Sequence, residues 1–281
     1  MNLVEHAARE LTSNGFVVLK GFASPSDIPR EVVEFVRSAK PNIDGAIWPL
    51  PRFPQAAKLE QSLHQMIGDV AARLGISASS RGTTSAIRVT EGKGGLGWHL
   101  DHGTYYYTHN AVDHLICYVP VFKPSIAAAN VAILPYAVLR RADPATYDRL
   151  KGRGAVELAK VNDEPTLARA RKRVIDPRSL AIGDWVVFDN YHYGRHSFKL
   201  NLDPEEHRVV PQLDVGDFLM FRADVLHRTE DTKTERIALR FDAFPSHPLD
   251  RWSRLYKLLS TRSAPAIVMH RIAQLRHLHS W

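Results

Sequence analysis

The sequence predicts a mainly β protein with flanking helices, built as an antiparallel barrel or double-sheet roll. Three observations carry this. From about residue 84, short β-branched and aromatic runs alternate with Gly, Pro, Asn and Asp, a spacing that suits antiparallel sheets better than βαβ units. The first 75 residues instead carry helical periodicity around one β-prone run. The chain has 281 residues, 44% hydrophobic and 24% charged, the balance of a soluble globular protein rather than a disordered one.

Taken in order, Leu3, Ala7 and Leu11 recur at helical spacing. Gly15-Phe-Val-Val-Leu-Lys20 is a compact strand after a glycine break, and Ser26-Asp-Ile-Pro29 opens a helix with Val32, Val33 and Val36 on its apolar face. Residues 55–74 form the clearest helix: Leu59, Leu63, Met66, Ile67, Val70 and Leu74 keep the period, and Gly75 ends it. Strands are expected at 85–90, 114–121, 130–135, 184–189, 208–213, 217–222 and 236–243. Residues 136–182 read as a charged, partly helical insertion, whose basic residues from Arg140 to Arg173 read as a solvated face. Arg251–Trp281 contains no Asp or Glu and reads as basic amphipathic helices, packed on the outside or touching an anionic membrane surface. The organisation expected is one domain over 1–281: a mostly helical part at 1–80, a β core at 84–247 holding the 136–182 insertion, and C-terminal basic helices at 248–281.

Several classes are set aside by composition. No apolar run approaches the roughly 20 residues that cross a bilayer. The N-terminus lacks the basic flank and apolar core of a secretory signal, and the single cysteine, Cys117, allows no internal disulfide and no multi-cysteine metal site. A cytoplasmic location is expected. The formal charge of +7 favours anionic partners, whether phosphate, carboxylate, nucleic acid or a lipid surface, without choosing among them, and the basic insertion and tail favour an anionic small-molecule substrate. No nucleic-acid-binding signature accompanies that charge, so no nucleic acid is expected.

The chemistry centres on Gly97-Trp98-His99-Leu100-Asp101-His102-Gly103. On a strand, His99 and Asp101 point to one face, about 6.5–7 Å apart along the backbone, where an imidazole and a carboxylate can share a metal ion. A turn at Val215-Gly216-Asp217 leads into the apolar run Phe218–Phe221, and the chain then reaches Leu226-His227-Arg228-Thr229. Read with period two, 236–243 puts Arg236, Ala238, Arg240 and Asp242 on one face and Ile237, Leu239, Phe241 and Ala243 on the other. Two arginines lining a cavity are costly unless anions pair with them, so a carboxylate ligand would account for them. Two histidines and one carboxylate form a facial triad that leaves coordination positions open on non-heme Fe(II).

With these pieces in view, the chain resembles the phytanoyl-CoA dioxygenase-like family of Fe(II)/2-oxoglutarate-dependent oxygenases. The matching segments are Gly15-Phe-Val-Val-Leu-Lys-Gly-Phe22, Trp98-His99-x-Asp101, Asn130-Val-Ala-Ile-Leu-Pro135, Gly216-Asp217-x-x-x-Phe221, His227-x-Thr229 and Arg236-x-Ala238, in that order. The resemblance implies a double-stranded β-helix (jelly-roll, cupin-like) core. It implies His99, Asp101 and His227 as iron ligands, with Arg236 and Thr229 on the distal carboxylate of 2-oxoglutarate and Arg240 as a rival for that role. The implied reaction consumes O2, releases succinate and CO2, and hydroxylates an unactivated C–H bond. Desaturation, cyclisation and epimerisation use the same ligands. A different class, a non-catalytic anion-binding jelly roll, would be marked by a missing ligand or a blocked pocket. Tyr105 and Tyr107, just after the metal motif, read as walls of a substrate pocket or as core packing. Arg88 reads as within reach of the site, and His192 as lining the substrate entrance or the surface.

Overall fold

Two antiparallel sheets face each other, with helices covering the outer side of the larger one. The computed structural model describes residues 2–40, 46–47, 53–76, 78–79, 85–90, 95–101, 111–128, 131–190, 196–230 and 233–245. The C-terminal basic helices expected at 248–281 lie outside these residues, as do Tyr105, Tyr107 and His192.

The larger sheet runs β1 (Phe16–Leu19), β11 (Phe218–Arg222), β6 (Leu115–Phe122), β13 (Arg236–Pro245), β4 (Ser85–Val89), β2 (Ala46–Ile47), with β3 (Ala78–Ser79) also pairing β13. The smaller runs β10 (Phe198–Leu200), β9 (Trp185–Asp189), β8 (Val156–Lys160), β5 (His99–Leu100), β12 (His227–Thr229), β7 (Val131–Ile133).

The helices α1 (Leu3–Ser13), α2 (Arg30–Ser38) and α3 (Ala57–Arg73) follow the apolar stripes of the sequence. Ala7 and Leu11, Val32 and Val36, and Leu59, Leu63, Ile67 and Val70 form one core with Cys117, Val119, Phe218, Ile237, Leu239 and Phe241 of the larger sheet. Each fully buried Leu or Ile of this layer contributes about 1.5–3 kcal/mol. The Asn2 side chain caps α1 by accepting from Val4 N at 3.0 Å, and Gly75, at φ +70°, closes the C-terminal end of α3.

Gly216 has a stricter role. Its φ is +85°, and a Cβ there would lie 2.1 Å from the Ala23 carbonyl oxygen. Next to it, Asp217 accepts from Lys20 Nζ and Gly21 N at 2.8 Å each and from Asp214 N at 2.7 Å. The Gly-Asp pair thus fixes the N-terminal segment against the start of β11.

Two expectations are corrected. Residues 136–182 are no simple insertion. They contain α4 (Tyr136–Ala142), α5 (Pro144–Leu150) and α6 (Glu164–Arg171), but also β8, an interior strand between β5 and β9. Val156 and Leu158 are buried and Glu157 is exposed, a strand alternation too short to stand out among the surrounding charges. The strand expected at 208–213 is reduced to one bridge, Ile133 with Val209. Pro211 has no N–H to extend a ladder.

Candidate metal centre

Pairing of β5 with β12 makes His99 and His227 direct register partners, with ring centroids 4.3 Å apart. Strand alternation does the aiming. Trp98 and Leu100 enter the apolar cluster outside the smaller sheet, so His99 and Asp101 project between the sheets. Asp101 Oδ1 lies 3.4 Å from His99 Nε2 and 3.8 Å from His227 Nε2. One donor atom from each residue falls within 4.8 Å of the others, the one such group among the described residues.

The ring tautomers are set from behind. His99 Nδ1 is 2.7 Å from the Gly97 carbonyl oxygen, and His227 Nδ1 is 2.9 Å from that of Val225. A carbonyl only accepts, so each neutral ring carries its proton on Nδ1 and turns the Nε2 lone pair toward Asp101. The donor set therefore fits a divalent metal: two imidazole nitrogens and one carboxylate, with all other directions left to ligands.

Electrostatics divide the two rings. Burial opposes charge on His99, but the hydrogen bond and charge of Asp101 outweigh it and raise its pKa. Burial, together with the neighbouring His99, holds His227 down to about 3. Burial also works against the Asp101 carboxylate, yet the Arg240 charge and the two histidines hold its pKa well below the usual range.

The facing wall is β13. Ile237, Leu239, Phe241 and Ala243 join the helix-side core, so Arg236, Ala238, Arg240 and Asp242 face inward, as period two predicts. Arg240 is taken up by carboxylates: it donates to Asp101 Oδ2 at 2.6 Å and to Asp242 Oδ1 at 2.9 Å. Arg236 is different. It is 4% exposed and donates to Tyr118 Oη at 2.9 Å, while its Nε has no hydrogen-bond partner. Among the described residues, no carboxylate forms an ion pair with it.

Thr229 lies two residues beyond His227, on the same face of β12, and its Oγ1 accepts from Leu96 N at 3.2 Å. Arg88 requires a correction. Its register partner is Ile237, so it lies on the helix side of the larger sheet, where it pairs with Glu235 at 3.0 Å and donates to the Arg37 carbonyl. Strand alternation places it on the face opposite the centre.

Several neighbours of the centre escaped the sequence reading. His114, the residue just before β6, and Tyr118 within it keep the same parity as Ile116, a period-two signal hidden by the apolar run. Glu157 of β8 is the register partner of His99 on its other side. Glu205, in the single-turn helix α7 (Pro204–His207), accepts from Trp98 Nε1 at 2.7 Å and from Arg228 Nη2 at 2.8 Å. It thereby clips together the outer sides of the two histidine-bearing strands. No local pattern marks it.

No sequence-family profile and no curated protein matches the chain. Solved structures do. EctD from S. alaskensis, crystallised with 2-oxoglutarate and 5-hydroxyectoine, is similar with a TM-score of 0.50 at 14% identity, over 87% of this chain and 76% of that one. SnoK, a non-heme alpha-ketoglutarate-dependent carbocyclase from nogalamycin biosynthesis, gives 0.48 at 14% identity over 90% and 91%. EvdO2 from Micromonospora carbonacea var. aurantiaca, complexed with 2-oxoglutarate, gives 0.47 at 16% over 90% and 97%. The likeness to EctD is one of fold: the two facing sheets form a jelly-roll core with flanking helices. Among the described residues no helix is long and apolar enough to cross a membrane.

Proposed function

We propose that this chain is an Fe(II)- and 2-oxoglutarate-dependent oxygenase of the phytanoyl-CoA dioxygenase-like group. It would hydroxylate an unactivated C–H bond of a small anionic substrate, with release of succinate and CO2. The observation that carries the reading is the triad of His99, Asp101 and His227, with both Nε2 lone pairs turned inward, facing a sheet that carries the buried Arg236, which has no carboxylate partner among the described residues.

His99 Nε2, Asp101 Oδ1 and His227 Nε2 would hold the iron. When bound, the metal supplies the centre at which O2 is activated by oxidative decarboxylation of 2-oxoglutarate. The protein's own work is binding, orientation and exclusion of water. Arg236 receives the distal carboxylate of the cosubstrate, because a buried guanidinium gains most from a planar anion that also neutralises it. The Thr229 hydroxyl accepts from Leu96 and keeps its own proton to donate to that carboxylate. Arg240 is already committed to Asp101 and Asp242, which favours Arg236 over Arg240 as the anchor. Val131, Ile133, Leu219, Phe221 and Ala238 fill the interior with apolar surface and keep bulk water from the reacting atoms. The +7 charge of the chain supports an anionic substrate.

The test is succinate formation coupled to O2 uptake in protein loaded with Fe(II). His99→Ala and His227→Ala are expected to abolish both metal retention and turnover. Full retention of iron and activity in either variant would overturn the ligand assignment.

A further inference from the structure

The two oxygens of Asp101 have different neighbours. Oδ1 faces the Nε2 atoms of His99 and His227 at 3.4 and 3.8 Å. Oδ2 accepts from Arg240 Nη2 at 2.6 Å. Arg240 is in turn held from behind. Its Nε donates to Asp242 Oδ2 at 3.1 Å and its Nη2 to Asp242 Oδ1 at 2.9 Å. Asp242 Oδ1 lies 3.1 Å from Nε2 of His114, a residue 1% exposed. His114, Asp242, Arg240 and Asp101 thus form a chain of charge-assisted contacts from the interior of the larger sheet to the metal-facing carboxylate.

A carboxylate with both oxygens available can chelate a divalent cation and take two of its coordination positions. With Oδ2 bound to a fixed guanidinium, only Oδ1 is presented. We infer that Arg240 is a positioning residue that keeps Asp101 a single-oxygen ligand, so that the protein supplies three donor atoms and leaves the remaining positions to cosubstrate and oxygen. This rests on the iron site proposed above. It gives Arg240 a task distinct from cosubstrate anchoring and explains why a cation is tolerated beside a metal: Asp242 neutralises it on the far side.

The experiment uses Mn(II) alone as the probe and counts coordinated waters by water-proton relaxation, with binding affinity measured in parallel. In the unaltered protein, three protein donors leave about three waters on the ion. Arg240→Met frees Oδ2 to chelate, so the relaxation enhancement is expected to fall by about one third while Mn(II) binds severalfold more tightly. Arg240→Lys, which keeps a charged donor on a long stem, is expected to restore the original water number. Asp242→Asn loosens Arg240 without removing it, and shows the same drop in smaller measure even if Arg240→Met does not fold. Unaltered water number and affinity in Arg240→Met, or in Asp242→Asn when that is the variant that folds, overturn the inference, as does an Arg240→Lys protein that behaves like Arg240→Met. Unaltered protein that takes up no Mn(II) removes the metal site itself, and this inference with it.

Discussion

His99 and His227 oppose each other across the β5–β12 pairing, and each ring donates from Nδ1 to the carbonyl two residues before it. The same local turnback is made on both strands, so two rings from distant parts of the chain present equivalent nitrogens to one point. That equivalence is a property of the backbone, and it holds before any ion arrives.

If the three residues hold a metal as proposed, the unequal surroundings of the two rings are expected to set the pH dependence of its uptake. His227, held at about 3, is neutral through the working range, whereas His99, raised above 6.5, must lose a proton to bind. Below the His99 pKa, affinity is expected to fall about tenfold per pH unit, the slope of one released proton. Metal titrations in buffers of graded pH check this, and a two-proton slope would show both rings charged. In metal-free protein the signs oppose. His99 contributes stability that is fully present below pH 6.5 and lost as the pH rises through its folded pKa. His227 contributes stability that is full above 6.5 and lost as the pH falls toward 3.

Arg236→Met separates function from stability. Loss of a charged hydrogen-bonding partner for the cosubstrate is expected to weaken 2-oxoglutarate binding by about 10- to 100-fold, the equivalent of roughly 1.5–3 kcal/mol. Metal-free protein is expected to keep or gain stability, because a buried cation with no carboxylate partner among the described residues is replaced by an apolar side chain. Equilibrium binding and urea unfolding read the two effects. A less stable variant with unchanged cosubstrate affinity would contradict both.

Glu205→Ala removes the clip behind the histidine strands. Metal affinity is expected to drop by about tenfold, the lower end of what supporting contacts contribute to metal sites. Glu205→Gln, whose amide oxygen can still accept from Trp98, is expected to fall between Ala and the original. Isothermal titration with Co(II) provides the measurement, and equal affinities across the three proteins would show that the clip does not shape the site.

Gly216→Ala is expected to destabilise by more than about 2 kcal/mol, since the new methyl collides with the Ala23 carbonyl at a positive φ. Denaturant unfolding tests it. A change within a few tenths of a kcal/mol would mean the turn adapts freely.

Period two and period 3.6 made much of the architecture legible. The apolar stripes of α1 and α3 and the two-faced reading of 236–243 correspond to the observed packing because each element buries one face only. β8 was obscured because its alternation lasts five residues and sits between charged helices. At the centre, His99, Asp101 and His227 were visible as residue types in order. Which arginine has no carboxylate partner among the described residues was not, because that depends on cross-strand neighbours such as Tyr118 and Asp242. Arg88 was misplaced for a related reason: a strand fixes the parity of its faces, and only register shows which face is inward.

The partnership of His99 with His227 has a temporal side. Strand β5 is made early in synthesis and β12 late, with the large sheet and β8 formed from the chain between and around them. Such long-range pairings come last and slowly in a folding reaction, after the entropy of closing large loops has been overcome. A growing polypeptide that has not yet emitted its final strands would therefore hold two of the three proposed ligands, and capture of an ion would report that the whole roll has closed.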